Sequence, residues 1–167
     1  DQAHHVKKLI FPDALLLTQD GKHAFYQLAV TPWQSLHQCV QFYYPPMNMV
    51  ITTAFCTEIF GSSLSCRRFV MQEQQINKYF RSLAIQLAEF YDDSFFLSQN
   101  NKLFAGILGS FVKRSYYHVG RQLREHKTDL LYGSYKCQFQ GFLWQSNIMK
   151  VTPLEKLLIS TKLLMET

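Results

Sequence analysis

The chain has 167 residues, 47% of them hydrophobic and 15% aromatic, and a net charge of +5. That length and composition bound it to one globular domain with a real core and exclude a disordered tail. No apolar run approaches the roughly 20 residues of a membrane span and no signal peptide opens the sequence, so an intracellular protein without a membrane partner is expected. The charge is uneven: residues 1–60 hold three Lys/Arg against four Asp/Glu, residues 61–167 fourteen against eight. A basic C-terminal portion fits a polyanionic partner and fits an ordinary solvated surface equally well. Cys39, Cys56, Cys66 and Cys137 form no CxxC pair. This argues against a zinc site or disulfide framework and for reduced, buried thiols. The sequence begins at Asp1 without a methionine, as expected of a piece of a longer chain.

In chain order, residues 14–20 ("ALLLTQD") read as a short buried strand ending at Asp20. Residues 38–44 and 48–55 are rich in β-forming residues and separated by "PPM", which predicts a hairpin. From 62 to 86, Phe69, Ile76, Phe80, Leu83 and Leu87 recur near a 3.6-residue period and predict a helix. "IQLAEFY" and "SFFLS" then flank Asp92 and Asp93, which suits a two-residue turn. A second helix is predicted over 103–124, and "YKCQFQGFLW" and "IMKV" flank "QSN" as another hairpin. At the end, Thr152 is a candidate N-cap with Pro153 at N1 and Glu155 completing a capping box. Leu154, Leu157, Leu158, Leu164 and Met165 would form the apolar stripe of that last helix. The sum is α+β, an antiparallel sheet with helices packed on one face.

Two adjacent aspartates within an apolar stretch raise a physical question, because buried carboxylates are costly without a partner. Asp92 and Asp93 at a hairpin tip, joined by Asp20 from the end of another strand, could hold Mg²⁺ or Mn²⁺ through oxygen ligands alone. Two such ions about 3.5–4 Å apart activate an attacking hydroxyl and stabilise a leaving pyrophosphate. Taken by itself, "DD" is also a common solvated turn.

The surrounding text favours the metal site. "QDGKHAFYQLAV" (19–30), "FGSSLSCRRF" (60–69), "FYDD" (90–93) and "FQGFLWQSNIMKV" (139–151) follow one another at characteristic spacing. They resemble motifs A, B, C and E of a reverse transcriptase palm, and are most similar to retroelements whose motif A reads D-x-K-x-A-[FY]. The resemblance covers nearly the whole chain. It implies a polymerase-palm-like fold over residues 1–167, with Asp20 and Asp92 holding two Mg²⁺ or Mn²⁺ ions and Asp93 completing the acidic cluster. Phe25 matches the aromatic residue that packs on the incoming sugar, and a ring there would collide with a 2′-hydroxyl. Gly61 matches the motif B glycine, whose missing Cβ lets the backbone approach the nucleotide. Lys127, in "REHKTDLL", falls where motif D supplies a lysine near the pyrophosphate. Phe139, Gly141 and Phe142 match the hairpin that grips the primer. Without the family context Phe25 reads as a core ring; Lys127 is as readily a solvated lysine, and the hairpin is consistent with plain packing.

The sequence departs from the family pattern in several places. Ile59 and Cys66 stand where motif B usually has prolines, with Arg67 and Arg68 following. Phe90 replaces the usual motif C tyrosine, and Gly21 sits beside the motif A aspartate as an unhelpful residue at a strand end. Only nineteen residues precede Asp20 and sixteen follow Val151, so fingers and thumb are essentially absent. A palm alone cannot close over a nucleotide. Two functions follow from the resemblance. One is two-metal, template-directed nucleotidyl transfer, with fingers and thumb supplied elsewhere and RNA or an RNA/DNA hybrid as partner. The other is a catalytically silent, retroelement-derived scaffold or RNA-contacting subunit among the protein chains of a larger assembly such as a ribonucleoprotein.

Overall fold

The computed structural model describes residues 2–59 and 61–156. In chain order the elements are α1 (Gln2–Leu9), β1 (Leu15–Asp20), α2 (Pro32–Ser35), β2 (Cys39–Tyr44), β3 (Met49–Ala54) and α3 (Ser63–Ser82). There follow β4 (Leu87–Phe90), β5 (Asp93–Ser98), α4 (Lys102–His118), β6 (Asp129–Ser134), β7 (Lys136–Phe139), β8 (Phe142–Gln145) and β9 (Lys150–Pro153). The chain divides into two compact units, Asp1–Lys22 with Gln75–Thr167, and His23–Gln74. No helix among the described residues is long and apolar enough to cross a membrane.

The larger unit is α+β, as the pattern of the sequence predicts. Its four-stranded sheet has the order β4-β5-β1-β6, and every pairing is antiparallel. The unbroken "LLL" of β1 makes sense because the strand is covered on both faces. Leu15 and Leu17 pack on one side with Phe80, Phe96, Leu108, Val112 and Tyr116 from the helices and β5. Leu16 faces the other way, against Val6, Phe95, Phe139 and Trp144. Helices therefore cover one face, and the second face is closed by α1 and the three-stranded sheet β7-β8-β9. Ser146 fastens that sheet to β1: its hydroxyl donates to the Ala14 carbonyl at 2.6 Å and its N–H to the Tyr135 carbonyl at 2.9 Å.

Several boundaries differ from the sequence expectation, each for a local reason. The helix expected over 62–86 stops at Ser82: Ala84 takes a left-handed φ of 58°, and the Ala84 and Ile85 N–H groups donate to the Arg81 and Phe80 carbonyls. This is a Schellman cap built without glycine. The helix expected over 103–124 stops at His118 by the same device, with Gly120 at φ 78° and Gly120 and Arg121 donating to Tyr117 and Tyr116. Here "VG" was a readable stop signal. The two-residue turn of the aspartate hairpin is Tyr91–Asp92, with Tyr91 at φ 52°; Asp93 is already in β5, paired with Phe90.

"YKCQFQGFLW" is itself a hairpin, turned at Gln140–Gly141 with φ of 54° and 77°, so the region is a three-stranded meander. Those two positive φ angles fit a type I′ turn. Thr152 is not a helix cap: β9 runs through Pro153, and the Leu154 N–H donates to the Gly141 carbonyl. The expected stripe Leu157, Leu158, Leu164 and Met165 lies outside the described residues. No local pattern marks β6, whose one buried side chain, Leu130, sits under α4. Gly109 of α4 makes that approach possible, since a Cβ there would overlap the Leu130 carbonyl oxygen. All four cysteines are free, but Cys39 and Cys56 are exposed where buried thiols were expected.

The smaller unit holds α2, the β2–β3 hairpin and the start of α3. Ala24, Leu28 and Phe69 are its buried core, with Phe25 packed against them. The hairpin forms in the expected place, turning through Pro45–Met47. Glu58 is buried at the base and accepts hydrogen bonds from Ser65 Oγ at 2.5 Å, Arg68 Nη1 at 2.6 Å and Gln38 Nε2 at 3.3 Å.

Candidate metal centre

The site grows out of strand register. β1 and β5 are the central strands, and their pairing sets Asp20 directly opposite Asp93. Opposed residues share a face with their Cβ atoms about 5 Å apart. Asp92 arrives from the adjoining turn, tied in place by the Gly21 N–H, which donates to its carbonyl at 2.9 Å. A Cβ on Gly21 would stand 3.2 Å from Asp92 Cβ. The glycine that looked unhelpful beside the motif A aspartate thus avoids crowding where strand and turn close together.

One carboxylate oxygen from each of Asp20, Asp92 and Asp93 lies within 4.8 Å of the others. Asp20 Oδ1 is buried and accepts no hydrogen bond. An all-oxygen donor set, with one buried oxygen that has an ion pair but no hydrogen bond, fits a hard cation such as Mg²⁺ or Mn²⁺. The electrostatics agree. Burial first, then the charges of Asp92 and Asp20, push the Asp93 carboxyl up to about 6, with Lys127 and Arg124 opposing. Asp92 is also raised, by burial first and by Asp20, against the pull of its own backbone hydrogen bond and the two cations. Burial and mutual repulsion thus work against full ionisation of Asp92 and Asp93.

Two cations reach it from the segment between α4 and β6. Lys127 Nζ lies 3.5 Å from Asp20 Oδ2, and Arg124 Nη1 lies 3.4 Å from Asp20 Oδ1. The backbone locks this segment down: the Arg124 N–H donates to the Asp20 carbonyl at 2.8 Å, and the Asp20 N–H donates to Thr128 Oγ1 at 3.3 Å. Arg124 and Thr128 were missed in the sequence. No spacing signal marks them, because they meet Asp20 across more than a hundred residues.

The other candidates divide. Phe139 and Gly141 line a cavity of about 480 Å³ together with Asp20, Asp93 and Lys127. Phe139 is buried in the core, stacked on Phe95 at 5.4 Å, so its ring serves packing, while the tip residues Gln140 and Gly141 are half-buried. Phe142 packs on Trp144 at 6.1 Å and does not line the cavity. Phe25 and Gly61 belong to the smaller unit. Phe25 packs on Phe69 with ring centroids 5.0 Å apart; Gly61 is exposed at φ 93°, a backbone angle that favours glycine.

The α+β fold is also found in a reverse transcriptase. The chain is similar to the structure of the foamy viral protease-reverse transcriptase in complex with RNA/DNA hybrid, with a TM-score of 0.67 over 89% of its residues at 15% identity. It spans 18% of the length of that chain. No protein-family model and no curated protein matches the sequence.

Proposed function

We propose that this chain is a reverse-transcriptase-like palm that works in template-directed nucleotidyl transfer on RNA or an RNA/DNA hybrid, with fingers and thumb supplied by other segments or chains. The observation that carries the reading is the convergence of three carboxylates, from the neighbouring strands β1 and β5 and the β4–β5 turn, within 4.8 Å. Two Mg²⁺ or Mn²⁺ ions held there would supply Lewis-acid activation of a primer hydroxyl and charge neutralisation at the leaving pyrophosphate. Asp20, Asp92 and Asp93 hold and orient. Lys127, exposed and beside Asp20, places a positive charge and a proton donor where pyrophosphate departs. Gly141, which lines the cavity beside the aspartates, steadies the primer end, while Phe139 and Phe142 hold its hairpin by packing. The fold likeness to a reverse transcriptase bound to RNA/DNA hybrid supports the choice of partner.

One observation favours the second reading, a silent scaffold within a larger protein–RNA assembly. Asp20 already has Arg124 and Lys127 as counter-charges within the chain, so the fold can neutralise part of the cluster unaided. Primer extension on an RNA template with Mg²⁺ or Mn²⁺, using the protein in its native-source complex, separates the two. Extension that disappears in an Asp92→Asn, Asp93→Asn double variant supports the enzyme. No extension from the intact complex overturns it and leaves the scaffold.

A further inference from the structure

Helix α4 is apolar on two sides, and only one of them is used. Ala105, Leu108, Gly109, Val112 and Tyr116 are buried. On the other side Phe104, Ile107 and Phe111 follow at i, i+3 and i+7, exposed by 49%, 60% and 36%. A surface helix ordinarily turns charged and polar residues outward. The stripe runs into a groove of about 530 Å³ between α4 and the last two turns of α3, lined by Ile76, Tyr79, Phe111 and Val119. Tyr79 and Val119 are half exposed at 50% and 54%. Phe111 is a fixed wall, its ring 6.2 Å from Phe80 of the core and 6.3 Å from Tyr79.

The one charged side chain lining the groove is a cation, Arg114. Arg114 and His118 line it, and none of its lining residues is acidic. α4 as a whole carries Lys102, Lys113, Arg114 and His118 and no Asp or Glu. Lys113 is taken up by Glu125 at 3.4 Å, while Arg114 has no carboxylate partner among the described residues. From this we infer that the α3–α4 groove docks an amphipathic helix of a partner protein, with apolar side chains at helical spacing and carboxylates flanking them to meet Arg114. A helix in a two-helix groove is read through such i, i+3/i+4, i+7 anchors. A second copy of this chain does not suit the site, because it would bring one cation-only helix face against another. A nucleic acid strand suits it poorly, because a phosphate track needs several cations in a row and this groove is mostly hydrocarbon. The inference does not depend on catalysis at the aspartate cluster, and a failure of either leaves the other standing.

The test uses the full chain and two labelled model peptides of about 15 residues, long enough to form a helix in a groove. They share one Leu/Phe face at i, i+3, i+4 and i+7 and differ only in Glu or Lys flanks. Fluorescence anisotropy should show the Glu peptide binding at least about tenfold more tightly than the Lys peptide. Arg114→Glu should reverse that order, and Val119→Asp at the exposed rim should weaken both peptides; circular dichroism checks that each variant folds. Equal binding of the two peptides, no binding of either, or an unchanged order in Arg114→Glu overturns the proposal. So does displacement of the Glu peptide by oligouridylate, or its loss through dimer formation seen by sedimentation.

Discussion

Asp20 and Asp93 stand directly opposite each other across the β1–β5 pair, two carboxylates where strand pairing ordinarily avoids like charges. Asp92 adds a third in the adjoining turn. The arrangement is held against its own repulsion by the apolar strands that carry it, Leu15–Leu17 in β1 and Phe95–Leu97 in β5. Stability and charge are therefore linked at this one place in the fold.

Removing one charge should stabilise the protein. The Asp93 carboxyl is raised from 3.8 to about 6, so the folded state keeps a proton that the unfolded chain has lost. The stability tied to that proton is complete below about pH 3.8, declines as pH rises through about 6 and is gone above it. Asp93→Asn should then melt higher than wild type at pH 7.5, by about 1–2 kcal/mol after allowance for solvent screening. The gap should close below pH 4. Melting curves from pH 4 to 8 decide it; a variant less stable at pH 7.5 would show that the cluster is not self-repelling.

A proton and a divalent ion compete for the same oxygens. With Asp93 titrating at about 6, Mn²⁺ affinity should rise about tenfold from pH 5 to 7.5 and then level off. Titration of the Mn²⁺ paramagnetic signal measures this directly. A flat affinity across that range, or binding that survives the Asp92→Asn, Asp93→Asn double variant, would place the ion elsewhere.

Gly109→Ala should be severely destabilising, because the added methyl meets the Leu130 carbonyl oxygen on a backbone that cannot yield cheaply. Overpacking of this kind costs about 3 kcal/mol or more. Denaturant unfolding should show that loss, while Gly120→Ala, with open space around it, should cost only the strain of its left-handed φ.

Ala84→Gly should act in the opposite direction. Ala84 is exposed and held at φ 58° to close the end of α3. A left-handed alanine costs about 1–2 kcal/mol, part of which glycine returns through its freer unfolded chain. A net gain of about 0.5–1 kcal/mol in urea unfolding is the expected outcome; a loss would mean that the cap is not strained.

In the smaller unit, Glu58 is the pH-sensitive group. Burial pushes its carboxyl up, but hydrogen bonds from Ser65, Arg68 and Gln38 together with the Arg68 charge outweigh this and hold it below 4.5. Its contribution is present above that value and is lost as pH falls through the lower, folded one. Glu58→Ala leaves Arg68 and Ser65 without their acceptor and should cost about 2–3 kcal/mol at pH 7. Hydrogen exchange of the β2–β3 hairpin amides, faster in the variant and below pH 4, would show the unit loosening.

Much of the fold was legible because its signals are local. Apolar and β-forming runs with turn residues between them located β1, β2, β3 and the aspartate hairpin, and a 3.6-residue period located α3 and α4. The misses came where local signals are weak or ambiguous. Ala84 ends a helix without the glycine that would have announced it, and β6 is a strand by virtue of β1 beside it and α4 above it. Thr152 and Pro153 spell a helix start yet pair with Leu143 and Phe142 as a strand, because ladder hydrogen bonds to a preformed edge outweigh a capping preference.

The candidate site divides the same way. The three aspartates and Lys127 could be named from the chain alone, because strand ends, turns and family-like motifs are written in short windows. That their oxygens converge, that Gly21 permits it and that Arg124 and Thr128 take part were settled only by folding. Each of those facts is a contact between residues far apart in sequence, set by strand register and by the packing of two sheet faces. Local composition carries the propensity to form elements; which elements meet is fixed by the burial of apolar surface and the pairing of backbone groups across the whole chain.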